Sequence, residues 1–125
     1  MNSNLLEIII KLISKTNNNE IKWQRINKTT FEYKKNIVLD ENSGFLERYW
    51  DTITTINEKS GNFINGQNTF YTLTVVDKNS KEVLVEIEVN KKEQTDGFST
   101  VDKLFKTITK FYNNRGKSIF EKLVE

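Results

Sequence analysis

The stretch TFYTLTVVDKNSKEVLVEIEVN, residues 69–90, decides the fold class of this chain. Two runs rich in β-branched and aromatic residues flank DKNS at 77–80, a segment that favours a tight turn, so the stretch predicts a β-hairpin. In the second run an apolar side alternates with a largely acidic one: Val83, Val85, Ile87 and Val89 against Glu82, Leu84, Glu86 and Glu88. This alternation predicts a sheet with one buried face and one face in water.

Two further strands are predicted before the hairpin. Residues 20–26, EIKWQRI, alternate between apolar and polar side chains and place Trp23 in the core. Residues 30–41, TFEYKKNIVLDE, form a second strand, in which the polar KKN at 34–36 predicts a bulge or a tight reversal.

The segment between the second strand and the hairpin carries two different patterns. Residues 44–56, GFLERYWDTITTI, have apolar side chains at helical spacing, so we predict a helix there, although its threonines favour a strand. Residues 57–68, NEKSGNFINGQN, predict a flexible loop rich in Gly and Asn.

Helices are predicted at both ends of the chain. Residues 4–15, NLLEIIIKLISK, show the spacing of a buried helical face, which Leu6 and Ile10 widen. This helix either lies between the sheet and the C-terminal segment or meets another subunit with its second flank. The last helix begins near Ser99, which with Asp102 resembles a capping box, and NNRG at 113–116 either breaks it or lies within it.

The order of elements indicates one α+β domain over residues 1–125. We expect an antiparallel sheet of about four strands with the N- and C-terminal helices packed on one face.

The composition excludes several chemistries. The chain has no Cys and no His, and therefore no thiol nucleophile, imidazole base, Ser-His-Asp triad or Cys/His zinc site. We therefore expect a protein that is not an enzyme, with no cofactor and no metal.

Pro and Ala, which have GC-rich codons, are also absent, which suggests an AT-rich bacterial, plasmid or phage genome. The N-terminal residues lack the features of a signal peptide and their apolar run is too short to span a bilayer, so we expect a cytoplasmic protein that does not engage a membrane.

Four lysines of the last helix form a candidate site for nucleic acid or phosphate: Lys103, Lys106, Lys110 and Lys117. Their spacing keeps them on one helical face, where each could contact a phosphate. The alternative is a solvated face whose charges suit the negative C-terminal end of the helix dipole. No glycine-rich phosphate loop accompanies them.

A candidate site for a protein partner combines aromatic and acidic side chains: Tyr49, Trp50, Glu82, Glu86 and Glu88. Aromatic residues anchor many interfaces. Carboxylates two apart on a strand lie about 6–7 Å from each other and could face a basic surface or a hard cation. The alternative for the glutamates is cross-strand pairing with lysines such as Lys22 or Lys34 and protection of a sheet edge.

Three segments together resemble a group of small uncharacterised bacterial proteins: LLEIIIKLISKTNNNEIKW at 5–23, YTLTVVDKNSKEV at 71–83 and VDKLFKTITKFYNNR at 101–115. That group has a leading helix, a first strand with a Trp, a hairpin of the YxLxVxD type and a final helix, with about two thirds of this chain covered. Residues 42–67 depart from it as an insertion. The resemblance implies an origin in mobile elements, prophages or defence neighbourhoods, and it implies no catalytic residue.

The leading functional hypothesis is a non-catalytic protein that masks or inhibits a partner protein, as immunity or phage anti-defence proteins do. The first alternative is a nucleic-acid or nucleotide-binding module that uses the four lysines. The second is a structural homo-oligomer, with a homodimer formed through the N-terminal helix.

Overall fold

The computed structural model describes residues 1–41, 46–93 and 95–125, with side chains described except at residues 40, 41, 46 and 47. The elements are α1 (Ser3–Asn17), β1 (Gln24–Asn27), β2 (Thr30–Glu41), β3 (Leu46–Phe63), β4 (Gly66–Asp77), β5 (Val83–Asn90) and α2 (Phe98–Lys122). The strands form one antiparallel sheet in the order β1-β2-β3-β4-β5. The α+β class with helices at both ends is confirmed, and the sheet has five strands instead of about four.

The additional strand is β3, in the segment where the sequence predicts a helix. Residues 46–56 pair along their whole length with β2, so the helix predicted over 44–56 is wrong, and its first two residues lie outside the described part. The β-branched side chains of Thr52, Thr54 and Thr55 prefer extended backbone, and here this preference prevails. The spacing of the apolar residues resembles that of a helix because apolar side chains occur on both faces of this strand.

The loop predicted over 57–68 is also a strand pair. β3 continues to Phe63 and β4 starts at Gly66, so only Ile64 and Asn65 form the turn. Phe63 packs edge-on against Phe70, with ring centroids 5.3 Å apart. This hairpin is built from polar and small residues, which is why no apolar alternation indicates it in the sequence.

The predicted strand at 30–41 and the predicted hairpin are both confirmed. The KKN segment of β2 pairs with β3 in continuous register, so neither a bulge nor a reversal occurs there. Register shifts occur instead in β1, between Arg25 and Asn27, and in β5, where Val75 pairs with Val85 but Val76 pairs with Val83. Leu84 is therefore bypassed, and Val83 lies on the outer face of the sheet, not with Val85 on the helix side.

Both helices lie on the same face of the sheet. Phe105 of α2 packs between two sheet aromatics, 5.6 Å from Phe31 and 5.3 Å from Tyr71 between ring centroids. α1 packs mainly against α2 and stands off the strands. The buried core is Ile9, Ile13, Ile21, Trp23, Phe31, Ile56, Tyr71, Leu73, Val89, Val101, Leu104, Phe105 and Ile108.

The predicted capping box at the start of α2 is wrong. The N-cap is Gly97, with a φ of 85° and no side-chain cap. The positive φ favours glycine at this position. A Cβ there would lie 2.7 Å from Cε of Met1, and the flexible end of that side chain would have to move. The helix then runs without a break through NNRG to Lys122, and from Asn113 onward its side chains are exposed.

Asp77 organises the turn between β4 and β5. Its carboxylate accepts hydrogen bonds from the Ser80 hydroxyl at 2.6 Å and the Ser80 backbone N–H at 3.2 Å. These two hydrogen bonds keep the pKa of Asp77 below its ordinary value, and the bond from the Ser80 hydroxyl has the larger effect. Such a carboxyl stabilises the fold above its unfolded pKa of about 3.9, and this stabilisation is lost as the pH falls through the lower, folded-state pKa.

We therefore expect Asp77→Asn to unfold at lower urea concentration than the wild-type chain at pH 7. The difference should shrink as the pH falls below about 4, because the wild-type carboxyl then also becomes neutral. Urea denaturation at pH 7 and pH 3 measures both values. A difference of the same size at the two pH values would contradict a role for the charge.

Candidate functional site

β2 and β3 continue to pair beyond the last residue of β4. β4 ends with Asp77 opposite Thr52, whereas β2 and β3 pair onward through residues 37–41 and 46–50. We call these ten residues the β2–β3 arm. Within the described ranges no third strand pairs with it. A two-stranded ribbon on its own is only marginally stable in water, so an arm of this kind benefits from a surface that covers it.

The arm carries apolar side chains on both faces. The register places Ile37, Leu39 and Trp50 on the helix side of the sheet, and Val38 and Tyr49 on the outer side. Tyr49 is 72% exposed, and Val38 and Leu39 are about half exposed. Exposed apolar residues grouped in this way are typical of interaction surfaces, whereas single ones are not informative.

Trp50 has an unusual environment within the arm. The guanidinium carbon of Arg48 lies 3.9 Å from the centroid of its ring, a close cation–π contact. Its indole N–H is buried, and in the described part of the chain it is the one buried side-chain polar atom without a hydrogen-bond partner. A buried donor left unpaired costs about 1–3 kcal/mol, so the Trp50 side chain is held at a cost in stability.

The structure distributes the residues of the predicted partner site over two faces. Glu86 and Glu88 lie on the outer face opposite Thr74 and Thr72, the face that also carries Tyr49, while Trp50 is on the helix side. Glu82 precedes β5, in the turn region.

Glu86 and Glu88 are also far from the arm along the sheet, whereas the backbone of Glu82 accepts a hydrogen bond from Asp77, at the end of β4 nearer to the arm. Thr74 of β4 pairs with Thr55 of β3, six residues from Tyr49, so Glu86 lies about 20 Å from Tyr49 along the strand direction. Only a partner of protein size could contact both. Of the two lysines predicted as partners, Lys34 pairs with Glu32 at 3.6 Å. Among the described residues no group of three or more acidic side chains could hold a metal ion.

The four predicted lysines of α2 lie together. They are exposed, and the unbroken helix keeps them within about 60° of arc. Lys106 donates to Asp102 across 2.8 Å, and this hydrogen bond raises the pKa of Lys106. For the other three, Lys103, Lys110 and Lys117, the described residues supply no ion pair, so their charges are available to solvent.

Tyr71, which the sequence does not single out, makes the densest polar contacts between α2 and the sheet. Its hydroxyl lies 2.5 Å from Oδ1 of Asp102 and 2.9 Å from Oε2 of Glu58, to which it donates. Burial and then these two carboxylates raise the pKa of Tyr71 far above its ordinary value. The hydroxyl therefore stays protonated at neutral pH, where it joins α2 to the sheet as a donor and cannot act as a base.

A groove remains between α1 and the helix side of the sheet. Its volume is about 410 Å³, and its lining is mostly apolar, with side chains from α1 on one side and from β2, β3, β4 and β5 on the other. Lys11, Lys15, Lys35 and Glu20 are its charged lining residues. The sequence gives no separate signal for this groove, because Leu6 and Ile10, which widen the apolar arc of the first helix, do not line it, whereas Ile8, which has the spacing of the buried face, lines it and is 54% exposed.

Comparison of the chain with protein-family models, with curated proteins and with solved structures finds no match. In the parts of the chain that the structure describes, no helix is long and apolar enough to cross a membrane.

We expect Tyr71→Phe to lower the free energy of unfolding by about 1–2 kcal/mol, because the variant loses hydrogen bonds to two carboxylates and leaves them close together. Chemical denaturation measures this value. Tyr33→Phe is the matched control, since Tyr33 is on the same sheet face and its hydroxyl makes no hydrogen bond in the described part of the chain. Equal stability of the two variants would show that the Tyr71 hydroxyl does not stabilise the packing of α2 on the sheet.

Proposed function

We propose that this chain is a non-catalytic binding protein that masks or inhibits a partner protein, in the manner of immunity or phage anti-defence proteins. The observation that carries the proposal is the β2–β3 arm, a two-stranded projection with exposed apolar side chains on both faces. The absence of Cys and His from the sequence also favours binding over catalysis.

Tyr49 and Trp50 have the properties of interface anchors. Tyrosine and tryptophan are enriched among the residues that dominate binding energy, because each buries a large rigid surface and has one polar group to direct. Trp50 in addition holds a buried N–H without an acceptor in the described part of the chain. A partner whose binding moves the side chains over this N–H and supplies an acceptor gains affinity that a generic apolar surface does not.

The outer edge of β2 offers a second means of contact beside these side chains. β1 pairs with β2 only from Thr30 to Glu32, so in the described residues no strand pairs with this edge further along. Lys34 and Lys35 protect the first part of the edge, but Asn36 to Leu39 carry no charge. A partner strand could pair with this uncharged part, as in other complexes formed by strand addition.

Glu82, Glu86 and Glu88 complete the proposed partner surface as its charged part, in which Glu86 and Glu88 are distant from the arm. Exposed carboxylates at this separation from the arm would steer a basic partner and set its orientation more than its affinity. Their substitution should accordingly affect the association rate and its salt dependence.

The test is affinity capture from cells of the source organism with three forms of the tagged protein: wild type, Tyr49→Ala with Trp50→Ala, and Phe120→Ala. Phe120 is the matched control because it is also a well-exposed aromatic side chain, on α2 and far from the arm in sequence. We expect one protein to be retained by the wild type and by Phe120→Ala, and to be lost with the double variant.

That protein is then purified and titrated against the same three forms. Loss of one anchor should weaken binding about thirtyfold, since an anchor residue contributes about 2 kcal/mol or more, and loss of both should weaken it about a thousandfold if their contributions add. Circular dichroism melting checks that the double variant is folded. A folded double variant with wild-type affinity would remove the arm as the binding surface.

The four-lysine face of α2 supports a second candidate function, a nucleic-acid or nucleotide-binding module. The continuous helix that keeps Lys103, Lys106, Lys110 and Lys117 on one face favours it, and the pairing of Lys106 with Asp102 weakens it. Fluorescence anisotropy with labelled DNA and RNA tests it at about 50 and 200 mM salt. Four phosphate contacts predict that the affinity for duplex DNA falls about a hundredfold between these two salt concentrations. This binding should be abolished when all four lysines are replaced by Gln. An absence of binding at the lower salt concentration would leave these lysines as a solvated face.

A structural homo-oligomer formed through α1 is the third candidate. The exposure of Ile8 and Ile10, on opposite flanks of the helix, favours it. Light scattering at micromolar protein concentration distinguishes a monomer from a homo-oligomer, and a monomer would contradict this candidate.

A further inference from the structure

We propose that the groove between α1 and the sheet is a second binding site, which takes a single-chain amphiphile with an anionic head group, of the fatty-acid class. The site is distinct from the partner surface on the arm, although Ile37 contributes to both. The proposal does not depend on the identity of the protein partner.

The floor of the groove is a row of side chains that crosses four strands. The register places Tyr33, Thr54, Val75 and Val85 side by side on the helix side of the sheet. All four are only half-buried. This part of the core face is accessible because α2 covers the other end of the face, where Phe31 and Tyr71 are buried.

The opposite wall comes from α1, which rests on α2 and not on the strands. Leu5, Ile8 and Leu12 face the groove, whereas Ile9 and Ile13 are buried. Ile8 on one wall and the accessible Val75 and Val85 on the other leave apolar surface on both walls in contact with water. An aliphatic chain placed between the walls removes that surface from water and gains about fourfold in affinity for each buried methylene.

The volume of about 410 Å³ lies within the range of small-molecule sites in proteins, which is about 300–1,000 Å³. Such sites are mostly apolar with a few polar groups that orient the ligand, and this groove has that composition. A nucleic acid or a sugar would leave its polar groups against the apolar walls.

The charged lining residues select the sign of the head group. Three lysines, Lys11, Lys15 and Lys35, face one carboxylate, Glu20, which gives a formal excess of two positive charges. None of the three forms an ion pair within the described part of the chain. Lysines can extend their methylene stems along the apolar walls and place the ammonium groups at the opening, where a carboxylate head group would lie.

The experiment is calorimetric titration of the full chain with dodecanoate below its micelle-forming concentration, and with dodecyltrimethylammonium as the cationic counterpart of equal chain length. We expect saturable one-to-one binding of dodecanoate and at least tenfold weaker binding of the cation. Replacement of Lys11, Lys15 and Lys35 by Gln should weaken dodecanoate binding about tenfold, since three exposed charge contacts contribute a few tenths of a kcal/mol to 1 kcal/mol each.

Two variants of α1 distinguish binding in the groove from a general effect of changing the helix surface. Ile8→Ser should weaken dodecanoate binding about fivefold, because part of one wall becomes polar. Ile10→Ser is the matched control: Ile10 has the same exposure but lies about 200° around the helix and does not line the groove. It should bind as the wild type does. The double variant of Tyr49 and Trp50 should also keep its affinity for dodecanoate, which separates this site from the proposed partner surface.

Three results would overturn the proposal. They are no dodecanoate binding up to millimolar concentration, equal binding of the anionic and cationic amphiphiles, and equal weakening by Ile8→Ser and Ile10→Ser. Sedimentation velocity on the same samples identifies a further alternative. If Ile8→Ser dissociates a dimer and dodecanoate does not bind, the groove is filled by a second copy of the chain.

Discussion

The packing of Phe105 between Phe31 and Tyr71 is the contact on which the arrangement of the other elements depends. It attaches α2 to one end of the sheet, and the hydrogen bonds from Tyr71 to Asp102 and Glu58 reinforce the attachment. α1 then packs on α2 instead of on the strands. Since α2 covers only one end of the core face, the groove under α1 follows from this attachment. The β2–β3 arm has a separate origin, since β4 ends at Asp77 while β2 and β3 pair further.

The exposed surfaces differ in chemistry, and each difference suggests a different ligand. The arm exposes apolar side chains on both faces and an uncharged strand edge, which suits another protein. The groove joins apolar walls to three lysines, which suits an anionic amphiphile. The lysine face of α2 has charge but no exposed aromatic side chain among its lysines, so it lacks the stacking platform common in proteins that bind single strands. An interface with a protein therefore uses more of the features of this chain than the alternatives do.

The sequence predicts those features that depend on neighbouring residues. The turn of the hairpin is evident because Asp77 and Ser80, three residues apart, form it together, and the first helix is evident from the spacing of its isoleucines. β3 is missed because apolar side chains occur on both of its faces, so its sequence has no clean alternation, and Tyr49 and Trp50 then fit helical spacing as well. The contact of Tyr71 with Asp102 spans 31 residues, and no local pattern encodes a contact of that range. Tyr49 and Trp50, which the sequence analysis proposes as partner-binding aromatics, both lie on the arm, but their placement on opposite faces requires the register.

Photo-crosslinking in living cells tests directly whether the arm binds a partner protein. A photoreactive phenylalanine analogue replaces Tyr49 in one strain and Phe120 in another, and the adducts are separated by mass after irradiation. A partner on the arm predicts one discrete protein adduct from position 49 and none from position 120. An adduct with a second copy of the chain or with nucleic acid, or no adduct from position 49 at all, would contradict it.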